Sequence, residues 1–207
     1  MRNLIELMFL KQFILIVVIV YLIAFLVPLI IVRMNGADPH GTHQNYSVLA
    51  RISPIAVFLL TIYIVLFIFF NNIIQIFWVI SFLLGDPIII IGMVLMFIGL
   101  VFEILGIKNL GISFRIELPK EQTKLITSGI YKLMRNPIAV SLYLIVIGVF
   151  LITPNIFALI ILLMNIITFD AKVRREESFL LERFGYEYEQ YKNRVGRYLP
   201  VTFKKHE

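Results

Sequence analysis

Two polar clusters on either side of an apolar hairpin are the part of this sequence that could carry chemistry. The first cluster is the turn at residues 128–137, and the second is the charged run at residues 172–177. Residues 138–169 between them carry no charged side chain and are interrupted only by Thr-Pro-Asn at 153–155. A short connection makes consecutive helices antiparallel neighbours. The pattern therefore predicts that both clusters meet at one face of a membrane and form a polar pocket beside lipid.

The charged run has the spacing of a helix. Lys172 and Glu176 are four residues apart, and Arg174 and Glu177 are three apart, so each pair shares one helix face. Such pairs can hold a charged ligand where a span leaves the lipid. They are also typical of an ordinary juxtamembrane helix with solvated charges, and the run by itself favours that simpler interpretation.

The turn has the features of an anion-binding helix start. Arg135 and Asn136 come immediately before Pro137, which suits the first turn of a helix. The free N–H groups and the positive dipole end of that helix favour an anionic group. The alternative is a basic membrane anchor followed by a helix start signal, and the turn alone leaves both interpretations open.

Apolar helices must position these clusters. Of the 207 residues, 60% are hydrophobic and 15% are charged, and the mean hydropathy is +0.93. Soluble domains have about 45–50% apolar and about 25% charged residues. The composition predicts an all-α, multi-pass integral membrane protein. The first apolar segment is too long for a signal peptide and lacks a small-residue cleavage site, so we interpret it as a retained span.

The apolar segments predict five spans, with a C-terminal helix hairpin and an amphipathic tail helix. Pro28 should kink the first span, and Gly92 and Gly99 favour close helix contact along the third. Glu103, near the end of the third span, is either a functional intramembrane carboxylate or a side chain that snorkels to the interface. The stretch 73–84 is too short to cross a core about 30 Å thick, so we expect it at the interface or in a tilted second span. The five spans are predicted at residues 13–32, 52–70, 88–105, 138–152 and 155–169.

The basic residues predict the orientation. No lysine or arginine occurs between residues 52 and 107 or within the hairpin, whereas the segments that follow these two regions are rich in both. This is the positive-inside pattern. It predicts a cytosolic C-terminus and, with five spans, an N-terminus on the outside. The membrane would be the cell membrane in a prokaryote and the endoplasmic reticulum in a eukaryote.

Several other kinds of site are disfavoured. The net charge of +6 does not indicate nucleic acid, because the basic residues flank apolar spans and suit anionic headgroups. The sequence has no cysteine, so it has no disulfide, thiolate metal site or cysteine nucleophile. His40 and His43 lie near Asp38, but no further ligand accompanies them. We expect a solvated loop there and no metal.

A set of short motifs follows a fixed order through the second half of the chain. In chain order they are Leu110-Gly111, Lys124-Leu125-Ile126, Gly129-x-Tyr131, Arg135-Asn136-Pro137, the hairpin, Glu176-Glu177-x-x-Leu180, Phe184-Gly185-x-Glu187-Tyr188-x-x-Tyr191, Arg197 and Pro200. This order, over about residues 108–200, resembles the isoprenylcysteine carboxyl methyltransferase family. Phospholipid N-methyltransferases share much of the layout. The first three spans resemble the family only in being apolar.

The resemblance implies an enzyme that binds S-adenosylmethionine on the cytosolic side, between the pre-hairpin segment and the tail helix. Glu176 would hold the ammonium group of this cofactor, and Lys172 would face the acceptor. One membrane domain, 1–207, would then comprise a three-span scaffold, 1–107, and a cofactor-binding methyltransferase core, 108–207. The remaining cofactor contacts would come from Lys124, Leu125, Ile126, Tyr131, Arg135, Asn136, Pro137, Ile138 and Ala139.

Three residues depart from the family pattern. Asn136 stands where the family usually has histidine, and Ala139 where it commonly has tyrosine. Lys172 replaces an arginine and cannot make a bidentate clamp on a carboxylate. Arg174 or Arg175 would have to compensate on the catalytic side.

Methyl transfer from a sulfonium is an in-line displacement, which depends on proximity and alignment. The leading prediction for the acceptor is a lipophilic or lipidated carboxylate, as in isoprenylcysteine, reached from the membrane lipids. The alternatives are a phospholipid or small amine or thiol acceptor, and a non-catalytic membrane protein that keeps the fold. The sequence gives no indication of the oligomeric state.

Three tail tyrosines would either stack on adenine or anchor the tail at the interface: Tyr186, Tyr188 and Tyr191.

Overall fold

The computed structural model describes residues 4–36, 47–70, 85–111 and 124–200, and this part of the chain is helical, which confirms the all-α prediction. A short 3-10 turn, Gly129–Lys132, precedes the hairpin. The helices are α1 (Leu4–Met34), α2 (Val48–Arg51), α3 (Ser53–Phe69), α4 (Asp86–Leu110), α5 (Pro137–Ile152), α6 (Ile156–Phe184) and α7 (Tyr186–Arg194).

Three of the described helices are long and apolar enough to cross a membrane, namely α4, α6 and the part of α1 from Glu6 to Met34. The helices α3 and α5 are apolar but shorter, at 17 and 16 residues. The length and composition of these helices are those of a membrane protein, while the number of five crossings stays a prediction. The predicted loop with the two histidines and the stretch 73–84 lie outside the described residues.

The structure changes two of the predicted boundaries. The first helix begins at Leu4, ahead of the span predicted at residues 13–32, and it continues through Pro28 to Met34. The last span and the predicted tail helix are one helix, because α6 runs without interruption from Ile156 to Phe184. The apolar first half and the charged second half of α6 therefore keep a fixed rotation relative to each other about the helix axis. The helix ends at Gly185, whose φ of +50° is a conformation that glycine adopts readily.

The helices α4 and α5 pack against each other along a row of small residues. A Cβ atom at Gly92 would lie 2.9 Å from the carbonyl oxygen of Gly148, and one at Gly99 would lie 2.8 Å from that of Ser141. Gly106 extends the series toward the start of α5. Small residues let two helix backbones approach closely in a membrane, and the expected close contact is present. We call this row the glycine seam.

Glu103 lies in the glycine seam. It is fully buried against α5, with a relative exposure of 0%. Glu103 therefore does not snorkel to the interface, which removes one of its two interpretations.

Buried polar contacts fasten α3 to the hairpin. The hydroxyl of Tyr63 donates to Oγ1 of Thr153 at 2.8 Å and accepts from Nδ2 of Asn155 at 2.6 Å. Deeper in α6, Nδ2 of Asn165 donates to the carbonyl oxygen of Ala56 at 3.1 Å. Buried polar groups are retained when they are hydrogen-bonded. These contacts fix α3 against α6 and leave the opposite end of the hairpin to build the site.

Candidate functional site

The segment before α5 is paired with the C-terminal segment. Met134 and Gly196 form an isolated parallel bridge. The backbone N–H of Arg135 donates to the carbonyl oxygen of Gly196 at 2.9 Å, and that of Asn136 donates to the carbonyl oxygen of Arg197 at 3.2 Å. Two segments that are about 60 residues apart in sequence therefore form one structural unit at the hairpin's polar end.

Glu177 is the centre of a charge cluster that holds this unit to α6. Its Oε1 accepts from Nη2 of Arg135 at 3.0 Å and from Nδ2 of Asn136 at 2.9 Å. Its Oε2 accepts from Nε and Nη2 of Arg197 at 2.9 and 2.8 Å. The side chains of Glu177 and Arg135 are only 6% and 7% exposed. The ion pair raises the pKa of Arg197 above its ordinary value, so the cluster is charged on both sides at physiological pH.

Arg135 has further contacts that explain why the cluster is rigid. Its Nη1 donates to the carbonyl oxygens of Lys192, at 3.0 Å, and Val195. Its guanidinium thus joins α6, the end of α7 and the segment before α5. The predicted roles of Arg135 and Asn136 in binding a cofactor stay predictions, because the described contacts of both side chains build the site itself.

The 3-10 turn is held by the end of α4. The backbone N–H of Ile130 donates to Oδ1 of Asn109 at 2.9 Å. Gly129 has a φ of +61°, and a Cβ there would collide with the Asn109 side chain. Asn109 was missed in the sequence, where its only signal is a polar residue that closes an apolar span. Its contact fixes the position of Tyr131.

Tyr131 is buried and has two carboxylates near its hydroxyl group. Its carbonyl oxygen accepts from the hydroxyl of Tyr191 at 2.7 Å. Burial, followed by the neighbouring Tyr191, raises the pKa of Tyr131 above its ordinary value. The negative charges of Glu103 and Glu176 add to this rise in pKa. One carboxylate belongs to α4 and the other to α6, so the surroundings of Tyr131 have a negative potential.

The predicted acceptor-side residues lie on the charged half of α6. Nζ of Lys172 is 5.8 Å from the ring centroid of Phe169. Arg174, which is 63% exposed, pairs with Asp170 at 2.6 Å, and Arg175 pairs with Glu182 at 3.1 Å. Each arginine is thus paired with a carboxylate of its own helix. The catalytic roles of Lys172, Arg174 and Arg175 stay predictions.

A chain of hydroxyl groups joins α5, the C-terminal segment and α6. The hydroxyl of Tyr198 donates to Oδ1 of Asp170 at 2.6 Å. The hydroxyl of Tyr143 donates to that of Tyr198 at 3.5 Å, and the two rings meet edge to face with centroids 5.4 Å apart. None of the three was identified from the sequence. Tyr143 lies four residues after Ala139, on the same helix face, and this spacing is a signal that could have found it.

The remaining predicted lining residues take several positions. Leu125 packs against a buried tail cluster of Tyr188, Tyr191 and Val195. Pro137 and Ala139 are buried at the start of α5, Ile126 and Ile138 are half-buried, and Lys124 is exposed. Of the tail tyrosines, Tyr188 and Tyr191 are thus part of the packing, while Tyr186 is exposed. In the described ranges, no group of three or more His, Asp or Glu residues has the arrangement of a metal site.

The chemistry of these side chains fits S-adenosylmethionine. The cofactor has a sulfonium and an ammonium, and the two carboxylates near Tyr131 provide negative potential for positive groups. Its adenine requires apolar and aromatic surface, which Tyr131 and its apolar neighbours supply.

Comparison with known proteins identifies relatives of the same segment. Residues 87–187 match the family model described as phospholipid methyltransferase. Rice proteins named probable protein-S-isoprenylcysteine O-methyltransferase, from Oryza sativa subspecies indica and japonica, are 34% identical over 115 residues, which is 53% of this chain and 60% of theirs. The protein-S-isoprenylcysteine O-methyltransferase of Saccharomyces cerevisiae is 30% identical over 115 residues, which is 54% of this chain and 48% of the yeast protein.

The matches cover only about half to three fifths of the length of these curated relatives. The family match begins at residue 87, not near 108, so the extent of the resemblance inferred from the motifs was too narrow. The helix α4, with Glu103 and the glycine seam, is inside the matched segment. Residues 87–187 are thus similar to proteins of the isoprenylcysteine/phospholipid methyltransferase family.

Proposed function

We propose that this protein transfers a methyl group from S-adenosylmethionine to a lipophilic acceptor at the cytosolic surface of a membrane. One observation carries the proposal. The contact of Arg135 with Glu177 joins the turn before α5 to the charged half of α6, where the charge of Glu176 helps to raise the pKa of Tyr131. A polar cofactor from the cytosol and an acceptor from the lipid can meet at such a place.

Residues of three segments would hold the cofactor. Glu176 would bind its ammonium group, and Tyr131 with Leu125 and Ile126 would provide surface for the adenine. The free N–H groups of Ile138 and Ala139, behind Pro137 at the start of α5, suit its carboxylate. When bound, S-adenosylmethionine supplies an electrophilic methyl group on sulfur. The chain's own contribution is alignment and exclusion of water.

The membrane arrangement is part of the proposal. With α3 and α5 crossing in addition to the three longer helices, the chain has five spans and a cytosolic C-terminus. The acceptor would enter between helices from the lipid. The shortness of α5 is compatible with a crossing, because local bilayer thinning accommodates a short apolar helix at modest cost.

Two kinds of acceptor have support. A prenylcysteine carboxylate is the first candidate, because the rice and yeast relatives are named for that reaction. Lys172 would then face the carboxylate. A lipophilic amine is the second candidate, and the observation that favours it is the buried carboxylate of Glu103.

The deciding test is cofactor binding to the detergent-purified protein by titration calorimetry. We expect the wild type to bind S-adenosylmethionine. Glu176→Ala should weaken binding about 10- to 100-fold, because a charge-assisted hydrogen bond contributes about 1.5–3 kcal/mol. Glu182→Ala, on the same helix but exposed, is the matched control and should bind like the wild type. A folded wild-type protein that binds no cofactor would overturn the proposal in favour of a non-catalytic membrane protein.

A further inference from the structure

Glu103 is a buried carboxylate with only half of its hydrogen-bonding capacity used. Its Oε2 accepts from the hydroxyl of Ser141 at 2.6 Å. Its Oε1 has no hydrogen-bond partner in the part of the chain that the structure describes. Burying a charge is costly unless it is paired and hydrogen-bonded. An unpartnered carboxylate oxygen inside a helix bundle is therefore a candidate site for a ligand with positive charge or a proton.

The surroundings of Glu103 come from three elements. The helix α5 contributes Ser141, and α1 contributes Tyr21, which lies beside Ser141 and Glu103. The third titratable neighbour is Tyr131 of the 3-10 turn, whose hydroxyl is also near Glu176. Within the described ranges, no lysine or arginine forms an ion pair with Glu103. The free Oε1 is therefore open to a group from outside these elements.

Tyr131 connects Glu103 to the proposed cofactor site. Glu176, the residue assigned to the cofactor ammonium, is on the charged half of α6, whereas Glu103 is in the apolar part of α4. Both influence the same hydroxyl group. Glu103 therefore belongs to the apolar side of the proposed site, and Glu176 belongs to its charged side.

We infer that Glu103, held by Ser141, is the acceptor-side base of this site, and that the acceptor is a lipophilic amine. This inference rests on the proposed function and specifies its acceptor. The ammonium group of the amine pairs with Oε1, and its proton passes to that oxygen. The nitrogen lone pair forms the new N–C bond to the methyl group as the C–S bond breaks, which leaves S-adenosylhomocysteine. Glu103 releases the proton when the product leaves.

The same geometry disfavours a carboxylate acceptor. Two carboxylates at one buried position repel each other, and both would pay the cost of leaving water. An ammonium group at the same position attracts the carboxylate of Glu103. An amine requires loss of a proton before attack, and Glu103 is the described buried carboxylate available for it.

The test compares methyl acceptors in the wild type and Glu103→Gln. Dodecylamine and phosphatidylethanolamine vesicles supply the amine as a simple lipophile and as a headgroup, and N-acetyl-S-farnesylcysteine supplies the carboxylate. We expect methylation of an amine, with kcat/KM lowered about 100-fold in Glu103→Gln at pH 7, since a positioned base contributes about 10²–10⁴-fold. The deficit should shrink as pH rises, because the free amine then loses its proton to water. The two amine probes show whether a headgroup is required.

A binding measurement without turnover gives a second readout. With S-adenosylhomocysteine present, dodecylamine should bind to the wild type and bind weakly to Glu103→Gln, while Glu103→Gln should lose far less affinity for S-adenosylmethionine than Glu176→Ala does. Ser141→Ala should show the same pattern with a smaller loss, which keeps the test valid if the glutamine variant fails to fold. Thr168→Val is the matched control, because Thr168 is buried and bonds only within its own helix.

Three results would overturn the inference in distinguishable ways. Equal amine binding and methylation in the wild type and Glu103→Gln would show that Glu103 is not the base. Methylation of the farnesylcysteine alone, unaffected by Glu103→Gln, would reject the amine and keep the proposed function. A wild type that binds no S-adenosylmethionine would reject the proposed function itself.

Discussion

Glu177 and Glu103 are both buried carboxylates of the matched segment, but they are bonded differently. Glu177 receives hydrogen bonds on both oxygens from Arg135, Asn136 and Arg197. Glu103 receives one from Ser141 on one oxygen. Glu177 lies at the polar end of the hairpin, where three chain segments meet. Glu103 lies in the glycine seam between two apolar helices.

The difference separates a structural charge from a charge that is available for function. A buried charge with complete pairing holds segments together, and removal of one partner leaves the others uncompensated. A buried charge with an unpaired oxygen contributes little to folding and costs desolvation energy. A protein retains such a group at a site where a ligand or substrate completes the pairing. Mutation of Glu177 should therefore lower stability, whereas mutation of Glu103 should lower activity and change stability little.

The largest effect is expected for Glu177→Gln. The substitution leaves the guanidinium of Arg135 buried without its counter-charge, which costs about 3–5 kcal/mol. The free energy of unfolding in mixed detergent micelles should fall by that amount, and cofactor binding should fall with it. Glu182→Gln removes an exposed pair with Arg175 and should cost less than about 1 kcal/mol. Equal effects of the two substitutions would contradict the structural role of Glu177.

An intermediate effect is expected for Gly99→Leu. The new side chain would meet the carbonyl oxygen of Ser141, since even a Cβ would lie 2.8 Å from it. Overpacking costs about 1–3 kcal/mol, and it should push α5 away from Glu103. Unfolding and amine methylation should both be impaired. Gly85→Ala is the control, because its Cβ has only ordinary contact with Pro87. An unchanged Gly99→Leu protein would show that the glycine seam is looser than described.

The smallest effect on stability is expected for Glu103→Gln. Glutamine keeps an oxygen for the hydroxyl of Ser141 and carries no charge that must leave water. The free energy of unfolding should change by less than about 1 kcal/mol or rise slightly. Unfolding in the same detergent mixtures as for Glu177→Gln checks this directly. A loss as large as that of Glu177→Gln would erase the distinction between the two carboxylates and make Glu103 structural.

Much of the fold could be predicted from the sequence because long apolar runs have few alternatives in lipid. Backbone groups inside a bilayer must be bonded internally, so an apolar run of sufficient length becomes a helix. The spacing of Gly92 and Gly99 indicated a close helix contact, because small residues on one helix face let two backbones approach each other. Helix ends were less predictable. In α6 the last span continues into the tail helix without a break near residue 170. The sequence did not predict this continuity.

The sequence predicted which segments form the site. Which side chain makes which contact depends on the rotation of each helix about its own axis. The motif order indicated that the turn before α5 and the charged run of α6 belong together. The resemblance assigned the cofactor's ammonium group to Glu176 and gave no such role to Glu177, and adjacent residues on a helix point about 100° apart. In the structure, Glu177 contacts Arg135 and Arg197. The contributions of Asn109, Tyr143 and Tyr198 were missed because each depends on a partner far along the chain.

The sequence by itself determined the apolar helical character of the chain and the resemblance to the methyltransferases, because hydropathy, spacing and motif order are properties of the linear chain. The tertiary structure decided which charges are paired. It buried Glu103 beside Ser141, since the glycine seam brings α4 within backbone contact of α5. It completed the pairing of Glu177 with residues from two distant segments. Pairing depends on distances of a few ångströms between remote residues, and only the packed helices fix those distances.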